Sequence, residues 1–404
     1  MSCGILIVAP YLPWPADFGG AIRIYELVRY LAREQRVILL APASPAEMHA
    51  IEHLSGICDV TVVPVEWTFR QTAGWRKRLT QARSLASRAS FVELASAEPR
   101  FQAVMDRLFM TRDIDLVQYE FPQMTRFRPL QPRPTILDNH NIEHELLRRV
   151  AQTTQSLPQR AFNNVEWRKV RRLERDAWLS VTLNLATSAR DAGVISSVSG
   201  LEAITISNGV DMDAWSTARS TERTPGRVVF TGAMRHQPNA DGVRWYAEQV
   251  HPLVLAAVPN ATLEIVGADP PPSVAALATS SISVTGRVES VEPYLARASV
   301  AVVPLHAGGG TRLKILDAFA AGVPVVSTTI GAEGLDVSPG RELLVADTPR
   351  AVADAVIGIL NGRTSLTAPA ALDFVRAHHD WTTAIGPGLV SAHVAAIERF
   401  RSDG

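Results

Sequence analysis

The chain has 404 residues, no net charge (40 basic and 40 acidic side chains) and 47% hydrophobic residues. This length favours two or three domains with full-sized cores. The balanced charge argues against a protein that binds nucleic acid by neutralising phosphates. Cys3 and Cys58 suit a reducing compartment, and no apolar run reaches the ~20 residues of a membrane-spanning helix. We therefore expect a cytoplasmic protein without a nucleic-acid partner.

The first half of the chain alternates short apolar runs with helical periodicity. Strands are predicted at 4–10, 36–42, 60–65, 115–120, 134–140, 183–188 and 203–209. A helix near 20–33 has its apolar side chains on one face. Strands that alternate with helices predict an α/β fold with a parallel, doubly wound sheet.

The pattern stops at 211–226, which is polar, lacks periodicity and ends in Pro-Gly, so it predicts a linker. Alternation resumes at RVVFTGAM and continues with a helix at about 239–258 and four further strands. We predict two Rossmann-like domains, 1–210 and 227–378, which face each other across a cleft. A helical segment at 379–404 could pack on either domain.

The stretch PLHAGGGTRLKILDAFAAGVP (304–324) places three glycines between a predicted strand and a predicted helix. Open α/β sheets bind ligands at this end of their strands. Bare amides at a helix N-terminus, capped by Thr311, would suit a diphosphate, and a carboxylate one turn later would suit ribose hydroxyls. The candidate residues are Gly308, Gly309, Gly310, Thr311, Arg312, Lys314 and Asp317. The alternative is a tight turn for packing, with Lys314 and Asp317 as a surface ion pair.

Several segments together resemble the retaining, GT-B-fold glycosyltransferases of family 4. Residues 304–335 resemble the donor-site signature of that group, and ISNGVD (206–211) is similar to its hinge motif. FTGAMRHQPNADGVRWY (230–246) resembles the start of its donor domain. PYLPWPADFGGAIR (10–23) resembles the acceptor-domain loop with paired glycines, and SPGRELLVADTP (338–349) also fits. The resemblance therefore covers nearly the whole chain.

This resemblance implies transfer of a hexosyl group from a nucleotide-diphospho-sugar, with retention, to a glycan, a lipid-linked saccharide or a similar cell-surface polysaccharide precursor. It implies no cofactor and no metal. In the donor domain, the diphosphate would lie near Gly232 and be neutralised by Arg235, Arg312 and Lys314, with Asp317 on the ribose. The acceptor side would be formed by Gly19, Gly20, Glu120 and His140. His140, Arg312 and Lys314 are the predicted catalytic residues.

The chain departs from that family at two places. Gly309 and Asp317 stand where many members carry a Glu-x7-Glu pair, and Ala233 and Asn239 stand where an Arg/Lys pair is usual. Two alternatives therefore stay open. One is a sugar-nucleotide epimerase of the same architecture, and the other is a catalytically impaired, membrane-docked partner subunit.

Two further patterns allow a metal. His140 and His144 are spaced i,i+4, although Asp138 and Asn139 beside them could simply cap a helix. The DxD triplets at 113–115 and 211–213 resemble a metal motif of another glycosyltransferase fold. Their positions beside a strand and a linker favour turn and capping roles.

The segment 66–90 carries six basic side chains and one acid, with Trp67, Phe69 and Trp75 among them. Basic residues interleaved with aromatic ones are typical of an interfacial segment on anionic lipid. This pattern predicts peripheral contact with the inner face of the membrane. The alternative is a solvated helix that packs its tryptophans inward.

Overall fold

The computed structural model describes residues 3–68, 74–154, 156–307, 312–363 and 367–403. The chain forms two compact units. The first comprises Met1–Ser207 together with Gly386–Gly404, and the second comprises Asn208–Ile385. The chain therefore leaves the first unit once and returns to it at its C-terminal end.

The first unit is built on a seven-stranded parallel sheet. Its strands are β1 (Gly4–Val8), β2 (Arg36–Ala43), β3 (Asp59–Pro64), β4 (Leu116–Glu120), β5 (Thr135–Asn139), β6 (Leu183–Ala186) and β7 (Ile204–Thr205). Their order in the sheet is β3-β2-β1-β4-β5-β6-β7. Five residues of β1 and five of β4 are all buried, as expected for central strands covered on both faces.

The helices of the first unit connect these strands. They are α1 (Gly19–Leu31), α2 (Met48–Ser55), α3 (Gly74–Leu85), α4 (Phe91–Ala95), α5 (Arg100–Thr111), α6 (Glu143–Thr153), α7 (Leu157–Trp178) and α8 (Ala189–Ser199). In α1 the buried residues include Ile24, Leu27, Val28 and Leu31, which confirms the predicted apolar face. Glu174 of α7 accepts hydrogen bonds from the amides of Glu143 and His144 and so caps the first turn of α6.

The second unit is built on a six-stranded parallel sheet with the order β10-β9-β8-β11-β12-β13. Its strands are β8 (Arg227–Thr231), β9 (Thr262–Val266), β10 (Ile282–Gly286), β11 (Val300–Val303), β12 (Val325–Ser327) and β13 (Leu344–Val345). The predicted strands of both halves are present, whereas β13 was not predicted. With only two residues, β13 is too short to show a pattern.

The remaining helices complete the two units. They are α9 (Ser216–Ser220), α10 (Gln237–Trp245), α11 (His251–Ala257), α12 (Pro272–Ala275), α13 (Glu292–Arg297), α14 (Leu313–Ala320), α15 (Pro349–Leu360), α16 (Thr367–His378) and α17 (Gly386–Asp403). A π-helical turn at Tyr246–Val250 joins α10 to α11, so the predicted helix at 239–258 is one rod with a bulge. A second π-helical turn, Trp381–Ile385, precedes α17.

Two stretches differ from the sequence-based domain bounds. The segment 211–226 forms the short helix α9 and buries Met212 and Ala218 in the core of the second unit. The segment packs because Met212 and Ala218 are apolar, and the sequence does not indicate this because they alternate with polar residues too irregularly to show a period. The C-terminal segment divides at Ile385, and α17 packs on the first unit. No helix of the described residues is long and apolar enough to cross a membrane.

Candidate functional site

The strand order of the second sheet reverses between β8 and β11. From β8 the chain proceeds outward to β9 and β10, whereas β11 lies on the other side of β8 and leads to β12. Ligands of open α/β sheets bind at such a reversal, beyond the carboxyl ends of the strands. Gly232 follows β8, and residues 304–307 follow β11. The described start of the segment 304–324 therefore lies at the switch point of this sheet.

Position 232 requires glycine because two side chains approach its backbone closely. Its φ is 150°, and a Cβ at this position would lie 2.8 Å from both Asn239 Nδ2 and Lys314 Nζ. A side chain here would displace the ammonium group from the end of β8. Glycine is thus needed to bring backbone and ammonium together.

Lys314 of α14 extends to the end of β8. Its Nζ donates a hydrogen bond to Asn239 Oδ1 at 2.9 Å and lies 4.2 Å from the centre of the Phe230 ring. The Asn239 amide in turn donates to the carbonyl of Ala233 at 2.9 Å. Asn239 therefore positions the ammonium of Lys314.

The ammonium of Lys314 is poorly solvated and faces a like charge. Burial and the positive charge of Arg312 lower the pKa of Lys314 to about 7, while Asp317 acts in the opposite sense. Desolvation together with Lys314, Arg312 and Arg235 also lowers the pKa of His236. A cluster of cationic groups that destabilise one another would be stabilised by a bound anion.

The other predicted donor residues lie in different settings. Gly308, Gly309, Gly310 and Thr311 lie outside the described residues. The helix α14 begins at Leu313 with Arg312 in the N-cap position that the sequence assigned to Thr311. Arg312 is buried and donates to the carbonyl of Ile330 at 3.3 Å. Arg235 lies at the surface and pairs with Asp269 at 2.9 Å, and Asp317 is half-buried on α14.

The first sheet has its own reversal between β1 and β4. Gly19 and Gly20 open the helix that follows β1, and Glu120 is the last residue of β4. In the sheet, Glu120 pairs with Asp138 of β5, and His140 follows that strand. The predicted acceptor-side residues are therefore brought together in one unit.

Asp138 is held by a buried ion pair. Arg23 of α1 donates to both of its carboxylate oxygens, at 2.7 Å and 2.8 Å, and both side chains are essentially inaccessible. Although burial acts in the opposite sense, the charge of Arg23 keeps the pKa of Asp138 below its ordinary value. The pair fixes α1 to the end of β5.

Glu120 contacts His140 and is the more deeply buried of the two side chains. One carboxylate oxygen lies 2.8 Å from His140 Nε2 and the other accepts from Gln118 Nε2 at 2.8 Å. Burial and the neighbouring charge of Asp138 raise the pKa of Glu120. Glu120 has no exposed surface, whereas His140 is 6% exposed. Of these two, His140 is the one that reaches towards the surface.

The imidazole of His140 faces the first turn of α1. Its Nδ1 is buried and has no hydrogen-bond partner among the described residues. A Cβ on Gly20 would lie 3.4 Å from this nitrogen and 2.6 Å from Tyr11 Oη. The first turn of α1 starts at Phe18 without a side-chain cap. A buried nitrogen and a helix start without a side-chain cap thus lie together.

Glu120, Asp138 and His140 are the one group in the described part of the chain with metal-ligand atoms within 4.8 Å of one another. The oxygens of Asp138 already accept from Arg23, and those of Glu120 are engaged with Gln118 and His140. We therefore describe the group as a hydrogen-bond network. His144 does not join it, because its Nδ1 lies 2.5 Å from Glu174.

The structure places the aromatic side chains of α3 and its approach outward. Trp75 is 68% exposed and Trp67 is 39% exposed, whereas Ser84 on the opposite face of α3 is buried. The guanidinium of Arg76 lies 3.8 Å from the centre of the Trp67 ring. The alternative of inward-packed tryptophans is therefore wrong for these two residues. Phe69 lies outside the described residues.

Two parallel-sheet α/β units define the GT-B class of fold, and solved structures of that class match the chain along its length. Sucrose-phosphate synthase from Thermosynechococcus elongatus matches with a TM-score of 0.71 at 17% identity, covering 98% of this chain and 99% of that one. The Anabaena protein HepE, solved in complex with UDP and glucose, matches with a TM-score of 0.63 at 12% identity, covering 97% and 99%. The chain has the GT-B fold.

Residues 225–362 match the family model described as glycosyl transferases group 1. A phosphatidyl-myo-inositol mannosyltransferase from Propionibacterium freudenreichii subsp. shermanii is 26% identical over 54% of this chain and 57% of the relative. An uncharacterized 44.6 kDa protein in the cps region of Klebsiella pneumoniae is 28% identical over 30% of this chain and 33% of that protein. The matched stretches thus span between a third and little more than half of these relatives.

Sequence reasoning missed the supporting residues of both groups. Gln118 and Arg23 were not singled out, because a buried polar residue within an apolar strand or helix gives no local signal of its partner. His236 follows Gly232 by only four residues, and this proximity to a strand end was a usable signal.

The lowered pKa of Lys314 can be measured directly, because Lys77, Lys169 and Lys314 are the three lysines of the chain. After reductive methylation with carbon-13 formaldehyde, one dimethyl-lysine signal should titrate with a midpoint of about 7. Lys314→Arg should remove that signal, and Lys77→Arg should leave it. If every lysine signal titrates above about pH 9, the described burial of this ammonium is wrong.

Proposed function

We propose that this protein is a glycosyltransferase that uses a nucleotide-diphospho-sugar as its donor. The donor would bind in the second unit, with its diphosphate at Lys314 and Arg312 and its ribose at Asp317. The acceptor would be a glycan, a lipid-linked saccharide or a similar cell-surface polysaccharide precursor, bound in the first unit. The resemblance to family 4 supports hexosyl transfer with retention.

The observation that carries this proposal is the ammonium of Lys314 held against Gly232 at the switch point of the second sheet. That unit also carries the match to glycosyl transferases group 1. The relative with UDP and glucose in its structure, HepE, shares the fold, and we extend its ligand class to this chain as part of the proposal.

The chemical task of such a site is to stabilise a departing nucleoside diphosphate. Negative charge develops on the phosphate oxygens as the bond between the anomeric carbon of the sugar and the phosphate oxygen breaks, while a glycosidic bond forms to the acceptor hydroxyl. Cations already held in place stabilise that charge without reorganisation at the moment of reaction. Lys314 and Arg312 would supply this stabilisation, and the backbone amides of residues 308–311 would add to it. No metal ion is needed for this charge balance.

The first unit would supply the acceptor side through His140 and the first turn of α1 at Gly19 and Gly20. Glu120 is fully buried with both oxygens engaged, so we assign it to His140 rather than to the substrate. His140 would contact a sugar hydroxyl through Nδ1. Histidine side chains are frequent general acids and bases in enzymes.

Two alternative functions would be distinguished from a transferase by the products that form from the donor. A sugar-nucleotide epimerase would change the sugar while it stays attached to the nucleotide. An impaired partner subunit would bind without turning over any donor. Incubation of the purified chain with UDP-, GDP-, ADP- and TDP-sugars separates the three. A transferase releases nucleoside diphosphate as it passes the sugar to an added saccharide acceptor or to water. An epimerase releases none and yields a new nucleotide-sugar, and an impaired subunit yields neither.

Binding of nucleoside diphosphate should depend on the two cations. Arg312→Ala and Lys314→Ala should each weaken UDP by about tenfold or more, since a charge-assisted hydrogen bond contributes about 1.5–3 kcal/mol. Uridine, which lacks phosphate, should bind the variants as it binds the parent protein. Arg244→Ala removes an exposed cation of the same unit and serves as control. Isothermal titration measures all four proteins, and equal UDP affinity in both site variants and the control would contradict the phosphate site.

The pH dependence of UDP affinity follows from the same lysine. The ammonium must be protonated to bind phosphate, and the pKa of Lys314 in the free protein is about 7. Below this pH the ammonium is already charged, whereas above it binding must take up a proton. Affinity should therefore fall by about tenfold per pH unit above neutrality. Lys314→Arg stays charged and should remove this slope, whereas an unchanged slope would assign it to another group.

We also infer that the protein binds the inner face of the membrane peripherally, through α3. Trp75, Leu79 and Ala82 follow the i, i+4, i+7 spacing of one helix face, and all three are exposed. Arg78 and Arg83 follow on opposite flanks of this stripe. The face turned to the protein is polar, with Ser84 bonded to Glu166. An apolar stripe that faces outward between cations suits an anionic lipid surface.

Co-sedimentation with phosphatidylglycerol vesicles tests this inference. Replacing Arg76, Arg78 and Arg83 by Glu should abolish binding, because each cation near such a surface contributes about 1 kcal/mol. Trp75→Ser should weaken it at every salt concentration. The charge-matched control, Arg244, Arg341 and Arg350 replaced by Glu in the second unit, should bind as the parent does. Equal binding by the α3 variant and the control would contradict the assignment.

A further inference from the structure

The C-terminal helix α17 contributes a buried histidine to the first unit. His393 is 4% exposed, and its Nε2 lies 2.7 Å from Oε1 of Gln118 on β4. These two residues are 275 positions apart in the sequence. Because Gln118 and Glu120 are two residues apart on one strand, their side chains lie on the same face of the sheet. His393 thus reaches the face on which Glu120 and His140 meet.

In the series of hydrogen bonds that runs from His393 through Gln118 and Glu120 to His140, the donor and the acceptor of each bond can be assigned. Burial lowers the pKa of His393 to about 4, although Asp138 acts against this, so the ring is neutral near pH 7 and carries one N–H. An amide oxygen can only accept, so His393 Nε2 donates to Gln118 Oε1. The amide nitrogen of Gln118 then donates to Glu120 at 2.8 Å, and the second oxygen of Glu120 is left for His140.

The direction of these hydrogen bonds determines which ring nitrogen of His140 carries the proton. Burial and the charge of Asp138 raise the pKa of Glu120, whereas its hydrogen bonds with His140 and Gln118 act in the opposite sense and favour the ionised form. As a carboxylate, Glu120 accepts from His140 Nε2, so the proton of a neutral His140 lies on Nε2. Its Nδ1 then presents a lone pair towards the first turn of α1, where it has no partner among the described residues. A lone pair accepts a hydrogen bond from a hydroxyl group, and it does not donate one to a carbonyl or phosphate oxygen.

We propose that His393 and Gln118 are positioning residues that, through Glu120, fix His140 in the Nε2–H form, so that its Nδ1 accepts a hydrogen bond from a substrate hydroxyl. The C-terminal helix would thereby belong to the functional machinery of the first unit as well as to its core. The substrate part of this inference rests on the proposed function, because it needs a sugar hydroxyl at His140. The tautomer part does not.

Three features of the geometry favour positioning over simple packing. All four side chains of the series are at most 6% exposed, and each step spans 2.7–2.8 Å. The series ends at a nitrogen without a described partner, whereas a purely structural network would be expected to satisfy its last member. The ring of His140 is further held by Phe121, whose centre lies 4.0 Å away, so its orientation is set before any substrate binds.

The tautomer can be read in the full-length protein labelled with nitrogen-15 histidine, without any substrate. Long-range proton–nitrogen spectra distinguish Nε2–H from Nδ1–H, and loss of one signal set in His140→Gln assigns the ring. We expect Nε2–H in the parent protein. In His393→Leu and in Gln118→Met, which remove the donors to Gln118 and Glu120 respectively, we expect a shift towards a mixture with Nδ1–H.

Two further variants separate positioning from packing. His393→Gln keeps an N–H donor and should restore the parent spectrum, whereas His393→Leu does not. His251→Leu removes a histidine of the second unit that is 1% exposed, and the spectrum of His140 should not change. An Nδ1–H tautomer in the parent, or an unchanged spectrum in folded His393→Leu and Gln118→Met, would overturn the proposal.

Turnover provides the second readout where a donor is transferred. His393→Leu should lower kcat by about tenfold, while KM for the nucleotide-sugar stays unchanged. This loss is smaller than the roughly 10²–10⁴-fold contribution of an acid–base group, because a mixture of tautomers still contains the Nε2–H form. His393→Gln should recover kcat. If the tautomer shifts but the parent transfers no sugar, the positioning role stands and the proposed function fails. If the parent transfers sugar and kcat is unchanged in both His393→Leu and His393→Gln, the substrate part of the inference fails.

Discussion

The reversal of strand order at β8 and β11 is the constraint on which the candidate donor site depends. At this point two neighbouring connections leave the sheet in opposite directions, so the space above the carboxyl ends of the strands is not filled by a crossover. The end of β8 supplies a glycine, and α14 supplies an ammonium group within van der Waals reach of it. A residue with a side chain at Gly232 would close this space.

The two units treat buried charge in different ways. In the first, Arg23 and Asp138 are both inaccessible and form a two-point ion pair, so each charge is compensated inside the protein. Removal of one partner would leave an uncompensated buried charge. In the second, Lys314 makes one hydrogen bond to a neutral amide and faces Arg312, and the pKa falls to about 7. The first arrangement holds the fold together, and the second is suited to receive an anion.

The sequence predicted the parts of this account that have local signals. The strands of both sheets follow from short apolar runs. Gly232 was singled out from its place after a strand, and Lys314 from its place in the first turn of a helix. The acceptor-side residues Glu120 and His140 follow from their position at strand ends. In each case the residue and its neighbours in sequence carry the information.

The remaining features depend on contacts between distant segments. His393 meets Gln118 only because α17 returns to the first unit, and no spacing in the sequence indicates that return. The orientation of α3 was ambiguous for a related reason, since a stripe of Trp75, Leu79 and Ala82 has the same period whether it faces a core or solvent. The packed segment at 211–226 resembles a linker in the sequence, because its one short helix has too few residues to show periodicity.

We propose that the diphosphate of a nucleotide-sugar binds where β8 ends and α14 begins. A crystal structure of the protein with UDP, or with the nucleoside diphosphate that an affinity screen selects, would show its position. We expect phosphate oxygens within hydrogen-bond distance of Lys314 Nζ, about 2.7–2.9 Å for a charge-assisted contact, and beside the backbone of Gly232. A nucleotide bound elsewhere, with Lys314 still hydrogen-bonded to Asn239 alone, would contradict it.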